Sequence, residues 1–136
     1  MFDFKFNWDE SLDTGMESID SQHKELFRIA RNMEQLLLTR CIGVQESALL
    51  DIVCELREYV SYHFYYEESL MLQAGYVNYE EHKKLHDEFK LQIMNLDCPA
   101  LAKNPQSELK KLKDTIQEWI FTHMLIEDKK MIKEIK

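Results

Sequence analysis

Histidine and carboxylate side chains at metal-ligand spacing are the most informative feature of this sequence. His82 and His86 lie four residues apart, a spacing that puts two side chains on the same face of a helix. His63 and Glu67 have the same spacing. Imidazole and carboxylate groups are common ligands of iron and zinc. A single histidine on an inward helix face is more often a hydrogen-bonded core residue than a metal ligand. The metal site is therefore predicted from the combination of several histidines and carboxylates.

Amphipathic helices must position these side chains. Apolar residues recur at spacings of three and four, which is typical of helices with one buried face. The first helix is predicted to begin near Ser18 or Asp20, both acceptable N-caps, and to end by Gly43. The second covers residues 45–73, and Gly75 is a suitable stop.

The second half of the chain predicts two further helices. Asn78 opens the third as an N-cap, with Glu81 in the capping-box relation. The stretch 99–104 breaks the pattern, and the Asn-Pro pair at its end predicts the start of a fourth helix. Short connections between four helices predict an all-α fold, an antiparallel up-down four-helix bundle over residues 18–128.

An N-terminal arm over residues 1–17 is expected to precede this bundle, and residues 1–136 are expected to form a single domain. The arm is predicted to be extended because its aromatic residues alternate with polar ones. These aromatic residues are Phe2, Phe4, Phe6 and Trp8.

The composition of the chain excludes several classes of fold and function. The chain has 136 residues with 17 Lys+Arg against 25 Asp+Glu, a net charge of -8, which argues against nucleic acid as a partner. Three glycines and two prolines are too few for a β-sandwich or barrel. The three cysteines form no C-x-x-C pair and are read as reduced thiols. With neither a signal-peptide pattern nor a membrane-spanning run, a soluble cytoplasmic protein is expected.

All five histidines fall on the inward faces of the four predicted helices. In an antiparallel bundle all five histidines meet at the same end of the bundle. His23 lies near the start of the first helix and His123 near the end of the fourth, which places both beside the three histidines of the second and third helices. Burying five imidazoles together would be costly unless a cation satisfied them. Asp128 lies five residues after His123, about 140° around an ideal helix, and reaches inward only if the helix ends or loosens there.

The motifs that contain these residues resemble the hemerythrin family, specifically the single-domain bacterial hemerythrins. The resemblance covers nearly the whole chain and includes seven ligand positions in the right order and spacing. The motifs are Trp8, Thr14-Gly15, Ile19-Asp20-x-Gln22-His23-x-x-Leu26, His63-Phe64-x-x-Glu67-Glu68, His82-x-x-x-His86 and Trp119-x-x-x-His123-x-x-x-x-Asp128.

The resemblance implies a non-haem di-iron centre whose ions change between Fe²⁺ and Fe³⁺. An oxo or hydroxo group and two carboxylates would bridge the ions, and one ion would keep an open position for dioxygen. By the resemblance, His82, His86 and His123 bind one iron, His23 and His63 bind the other, and Glu67 and Asp128 are the bridging carboxylates.

An oxygen-binding protein that carries, stores or delivers dioxygen, and is not an enzyme, is the function that the resemblance implies. Its partners would be dioxygen and an oxygen-consuming recipient protein. Apolar side chains around the open position would keep out water and protons, and Ile120, Trp119, Phe27 and Val60 are the candidates for this oxygen pocket. For Phe27 and Val60, ordinary core packing is an equal alternative.

Other functions of the same centre stay open at this point. They are oxygen or redox sensing and the processing of peroxide or nitric oxide. A ferritin-like ferroxidase is disfavoured because no Glu-x-x-His pair occurs, and a zinc hydrolase because H-E-x-x-H is absent. One departure from the family is Met131, which stands where many members have a tyrosine.

Overall fold

The computed structural model describes residues 6–135, and this part of the chain is helical without a strand. The predicted all-α class is therefore confirmed. No helix in this range is apolar over a sufficient length to cross a membrane. The elements are a 3₁₀ turn (Glu10–Leu12), α1 (Glu17–Leu38), α2 (Glu46–Ala74), α3 (Tyr79–Met94), α4 (Cys98–Lys103), α5 (Pro105–Trp119), a π-helical segment (Ile120–Asp128) and α6 (Lys129–Ile135).

Helix α2 is the centre of the helical bundle. It contacts α1, α3, α4 and α6, and α1 also packs against α5. Arg28 of α1 forms an ion pair with Glu55 of α2. Arg57 of α2 donates hydrogen bonds to the carbonyl oxygens of Ile93 (3.4 Å) and Met94 (3.2 Å). These carbonyls belong to the last turn of α3, where helix geometry leaves them without intrahelical partners.

Buried apolar side chains form two clusters. The larger one takes residues from all the long helices, among them Leu26, Leu56 and Ile116. Burial of such side chains supplies most of the driving force for folding. The smaller cluster consists of Ile19, Met71, Tyr76, Met131 and Ile132.

The start of α1 differs from the prediction. The helix begins at Glu17 after Met16, so neither Ser18 nor Asp20 is the N-cap. The Asp20 carboxylate instead accepts hydrogen bonds from the backbone N–H (2.9 Å) and the hydroxyl (2.8 Å) of Thr14. Asp20 therefore stabilises the turn before the helix. Asp side chains commonly accept hydrogen bonds from nearby backbone N–H groups in such turns as well as at helix N-caps.

The other predicted helix ends are mostly confirmed. Gly75 ends α2 with a left-handed backbone, φ 67°. Asn78 and Asn104 precede α3 and α5 as predicted, but neither side chain makes a capping hydrogen bond. Residues 99–104 are not simply a connection, because most of them form α4. The carboxylate of Asp97 caps this short helix by accepting a hydrogen bond from the backbone N–H of Ala100 at 3.0 Å.

Aromatic residues before α1 pack on its inner face. Phe6 and Trp8 both meet the ring of Phe27 edge to face, at centroid distances of 6.0 Å and 5.2 Å. Edge-to-face aromatic pairs stabilise the fold beyond the contribution of the apolar surface that they bury. Phe2 and Phe4 lie outside the described residues.

Candidate metal centre

The seven residues that the sequence singled out lie together in the interior of the bundle. Each of them is at most 2% exposed. Ionisable side chains are rarely buried to this extent unless an oppositely charged group or a metal ion pairs with them. The cluster consists of His23 from α1, His63 and Glu67 from α2, His82 and His86 from α3, and His123 and Asp128 from the π-helical segment.

The ligand-type atoms form two overlapping groups, and within each group all of them lie within 4.8 Å of one another. Glu67 and Asp128 belong to both groups. The arrangement thus has a three-histidine side and a two-histidine side that share two carboxylates. The first group is Glu67, His82, His86, His123 and Asp128, and the second is His23, His63, Glu67 and Asp128.

The Glu67 carboxylate lies between the two sides. Its Oε1 is 2.7 Å from Nε2 of His82 and 3.1 Å from Nε2 of His86. Its Oε2 is 3.1 Å from Nε2 of His63, one turn earlier on the same helix. One carboxylate therefore faces imidazoles from α2 and α3 at once.

The π-helical segment explains how Asp128 reaches the centre. In an ideal α-helix Asp128 would lie about 140° away from His123. The i to i+5 bonding of a π-helix instead brings residues five apart onto one face. Oδ1 of Asp128 lies 2.9 Å from Nε2 of His123 and 3.0 Å from Nε2 of His82. The loosening that Asp128 requires is thus present between Ile120 and Asp128.

Several buried atoms of the cluster have no hydrogen-bond partner among the described residues, which is the strongest structural sign that a cation belongs there. Nε2 of His23 is only 2.9 Å from Oδ2 of Asp128, yet the two are not in hydrogen-bonding geometry. Each such atom costs about 1–3 kcal/mol when nothing satisfies it. A metal ion would satisfy them together, and five imidazoles with two carboxylates suit iron or another transition metal. The unpartnered atoms are Nε2 of His23, Oε2 of Glu67, Nδ1 of His82, both ring nitrogens of His123 and both carboxylate oxygens of Asp128.

The charges of the cluster also suit a cation. Burial and the neighbouring charge of Asp128 raise the pKa of Glu67, but His63 and His82 outweigh them and hold it below its usual value. The pKa of Asp128 is likewise lowered, chiefly by His123, in spite of its burial. Burial lowers the pKa of His82, but the adjacent carboxylates of Asp128 and Glu67 raise it to about 9. Both carboxylates are thus ionised, and without a metal a proton occupies His82 at neutral pH.

Two hydrogen bonds that the outer ring nitrogens of His63 and His86 donate were not predicted. Nδ1 of His63 donates to Oε1 of Gln22 at 2.5 Å, and Nδ1 of His86 donates to Oε2 of Glu68 at 2.9 Å. Such partners fix the tautomer and turn the other ring nitrogen toward a metal. Gln22 and Glu68 each stand beside a cluster residue in the sequence, but both bonds join different helices, so the spacing within one helix does not reveal them.

The four candidates for the oxygen pocket are all buried in the larger apolar cluster. Trp119 is stacked on the ring of His123, with centroids 3.9 Å apart and planes at 12°. Ile120 and Phe27 line a common cavity of about 250 Å³, and Val60 is fully buried one turn before His63. Whether these side chains surround bound oxygen stays a prediction.

Met131 is fully buried in the smaller cluster, one turn after Asp128. It contributes no polar group there. Tyr76 belongs to the same cluster, with its ring 6.3 Å from that of His82. The position where many hemerythrins have a tyrosine therefore serves apolar packing in this chain.

Comparison with known proteins agrees with this geometry. The family described as "Hemerythrin HHE cation binding domain" matches residues 14–135. A bacteriohemerythrin of Clostridium acetobutylicum is 28% identical over 127 residues, which are 93% of this chain and 98% of that protein. One of Pseudomonas paraeruginosa is 31% identical over 121 residues, 89% of this chain and 75% of its own length. One of Campylobacter jejuni is 32% identical over 115 residues, 85% and 84% of the two chains. The chain therefore belongs to the hemerythrin family.

Proposed function

We propose that this protein binds dioxygen reversibly at a centre of two iron ions and so carries, stores or delivers oxygen. The observation that supports this most strongly is the pair of buried donor groups that share Glu67 and Asp128. An iron pair bound there would supply the electrons that reversible binding of dioxygen requires. The side chains of the cluster fit two cations better than one, because each shared carboxylate has an oxygen toward either side.

The proposed ligand division follows the two donor groups. The three-histidine group offers five ligand residues and the two-histidine group four, so the second side has more room for an exogenous ligand. A solvent-derived oxo or hydroxo group would complete the bridge. In this proposal His82, His86 and His123 hold one iron, His23 and His63 hold the other, and Glu67 and Asp128 bridge them.

Apolar side chains near the cluster would keep water and protons away from bound oxygen. Trp119 covers the ring of His123, and Ile120 follows it in the chain. With Phe27 and Val60 they form the proposed oxygen pocket, which would slow irreversible oxidation of the centre. The expected role is binding rather than turnover.

We further propose that α1, α2, α3 and the continuous stretch from α5 to α6 form an antiparallel up-down four-helix bundle. The order of contacts supports this. Gln22 meets His63 and Arg28 meets Glu55, so residue numbers fall along α2 as they rise along α1. Of the arm predicted over residues 1–17, the described part ahead of α1, residues 6–16, would lie on this bundle, and the chain would form a single domain.

A cytoplasmic location and an oxygen-consuming recipient protein complete the proposal. The three cysteines are free, and Cys54 is exposed. Free exposed thiols are typical of proteins in a reducing compartment.

The experiment that tests the proposed function is visible absorption spectroscopy of the reduced, iron-loaded protein under anaerobic conditions. A band that appears when dioxygen is added and disappears when it is stripped away supports reversible binding. Irreversible oxidation with consumption of a reductant would instead indicate an enzyme or a redox sensor. Glu67→Gln is expected to abolish the band, whereas Asp51→Asn, a change to an exposed carboxylate of the same helix, is expected to keep it.

A further inference from the structure

The hydroxyl of Tyr59 is a buried polar group beside the cluster that none of the roles above uses. Tyr59 is 7% exposed, and its hydroxyl has no hydrogen-bond partner among the described residues. Buried tyrosine hydroxyls usually have a partner. An unpartnered donor at this place points to an acceptor that the described residues do not provide.

Tyr59 lies on the two-histidine side of the cluster. It precedes His63 by one turn of α2, and the two rings are stacked with centroids 5.2 Å apart and planes at 13°. Burial raises the pKa of its hydroxyl, and so do the negative charges of Asp128 and Glu67, the two carboxylates shared by both donor groups, so the proton stays on the oxygen. The side with fewer protein ligands is therefore the side that Tyr59 faces.

A cavity between α1 and α2 lies beside Tyr59 and His63. It has a volume of about 440 Å³, and Tyr59 and His63 are part of its wall. Its lining also contains Glu25, Glu55 and Glu58 against the single cation of Arg28. This excess of negative charge favours an uncharged small ligand over an anion.

We propose that the Tyr59 hydroxyl donates a hydrogen bond to a small ligand that reaches the two-histidine side of the centre through this cavity. The ligand class is a molecule of two or three atoms with a terminal atom that accepts a hydrogen bond. The inference rests on the proposed function in so far as it requires iron at the cluster. It adds a ligand-contacting residue and an access route.

Azide is a suitable probe, because it has a terminal acceptor atom and its binding to the oxidised, iron-loaded protein does not require reversible reaction with dioxygen. The charge of the cavity opposes this anion equally in the wild type and in Tyr→Phe variants, so it does not affect their relative affinities. Tyr59→Phe removes the hydroxyl and keeps the ring. It is expected to keep the iron content and to weaken azide binding roughly tenfold, the effect of one hydrogen bond. Tyr62→Phe is the matched control, because Tyr62 lines the same cavity but is 63% exposed; its azide affinity is expected to equal that of the wild type.

The metal-free protein provides a second measurement. Since the hydroxyl has no partner in the part of the chain that the structure describes, Tyr59→Phe is expected to unfold at the same temperature as the wild type or at a higher one. A lower unfolding temperature would reveal a structural partner of the hydroxyl and overturn the inference.

Azide affinity that is unchanged in Tyr59→Phe, or equally reduced in Tyr62→Phe, would also overturn it. If the proposed function itself is wrong, the observation is a different one: the wild-type protein reacts irreversibly with dioxygen.

Discussion

Gln22 provides a way to weaken one side of the centre without touching a proposed ligand. Its Oε1 accepts the 2.5 Å hydrogen bond from Nδ1 of His63, which keeps Nε2 of that ring directed toward Glu67. Gln22→Leu removes the acceptor at similar volume. We expect the metal on the two-histidine side to be bound more weakly and the metal on the other side to be retained.

The size of the effect follows from the burial of His63, which is 1% exposed. Loss of the acceptor leaves an imidazole N–H buried without a partner, which costs about 1–3 kcal/mol. Removing such an outer partner typically weakens metal binding by about 10–100-fold, or about 1.4–2.7 kcal/mol. The two estimates agree, so a loss within this range is expected.

Glu68 is the matched residue on the three-histidine side. It accepts the hydrogen bond of Nδ1 of His86, but its side chain is 19% exposed, so water can partly replace it. Glu68→Leu is therefore expected to weaken binding of the metal on the three-histidine side about tenfold, near the lower end of this range. Gln22→Glu keeps an acceptor at its position and is expected to bind both metals nearly as the wild type does.

The assay is equilibrium competition with a chelator, followed by metal analysis. Two metals per chain should be released in separate steps, with Gln22→Leu and Glu68→Leu each moving a different step. The reasoning is refuted if both variants move the same step, or if each moves both steps equally. Binding of only one metal by the wild-type protein would refute the two-sided arrangement itself.

Three further predictions concern the cluster. Glu67→Gln removes a carboxylate from both donor groups at nearly constant volume, so metal analysis should show lower content and calorimetry a lower unfolding temperature of the loaded protein; Asp51→Asn should change neither, and a fully loaded, equally stable Glu67→Gln would contradict the ligand assignment. The pKa of His82 is raised to about 9 in the metal-free fold, so its contribution to stability is complete below the unfolded value of about 6.5 and disappears as the pH rises through 9. Urea unfolding of the metal-free protein should show this decline, and stability that does not fall between these pH values would contradict it. Because the same proton must leave before a metal binds, metal affinity should fall as the pH is lowered, which chelator competition measures.

Much of the site could be predicted from the sequence because helix periodicity determines which residues face inward. Apolar spacing of three and four along α2 and α3 places His63, Glu67, His82 and His86 on buried faces, and the structure agrees. Asp128 could not be derived in this way, since an ideal helix turns it away from the other residues. Its position depends on the π-helical segment, which spacing on an ideal α-helix does not predict.

Other features depend on contacts between elements, which a single sequence does not reveal. Asp20 is an acceptable N-cap by type, yet its carboxylate binds Thr14 because the preceding turn folds back onto α1. The short helix α4 was missed because Pro99 suggests a break, whereas proline is well tolerated in the first turn of a helix. The bonds from Gln22 and Glu68 require the register between helices, which becomes known only when the helices are packed.

The most direct test of the central claim is the stoichiometry of reversible oxygen binding. The reduced, iron-loaded protein is titrated anaerobically with dissolved dioxygen, and bound oxygen and iron are measured in the same sample before and after removal of the gas. We expect one dioxygen for every two irons per chain, with nearly all of it recovered intact. Uptake that yields released hydrogen peroxide or water and leaves oxidised iron would contradict the account.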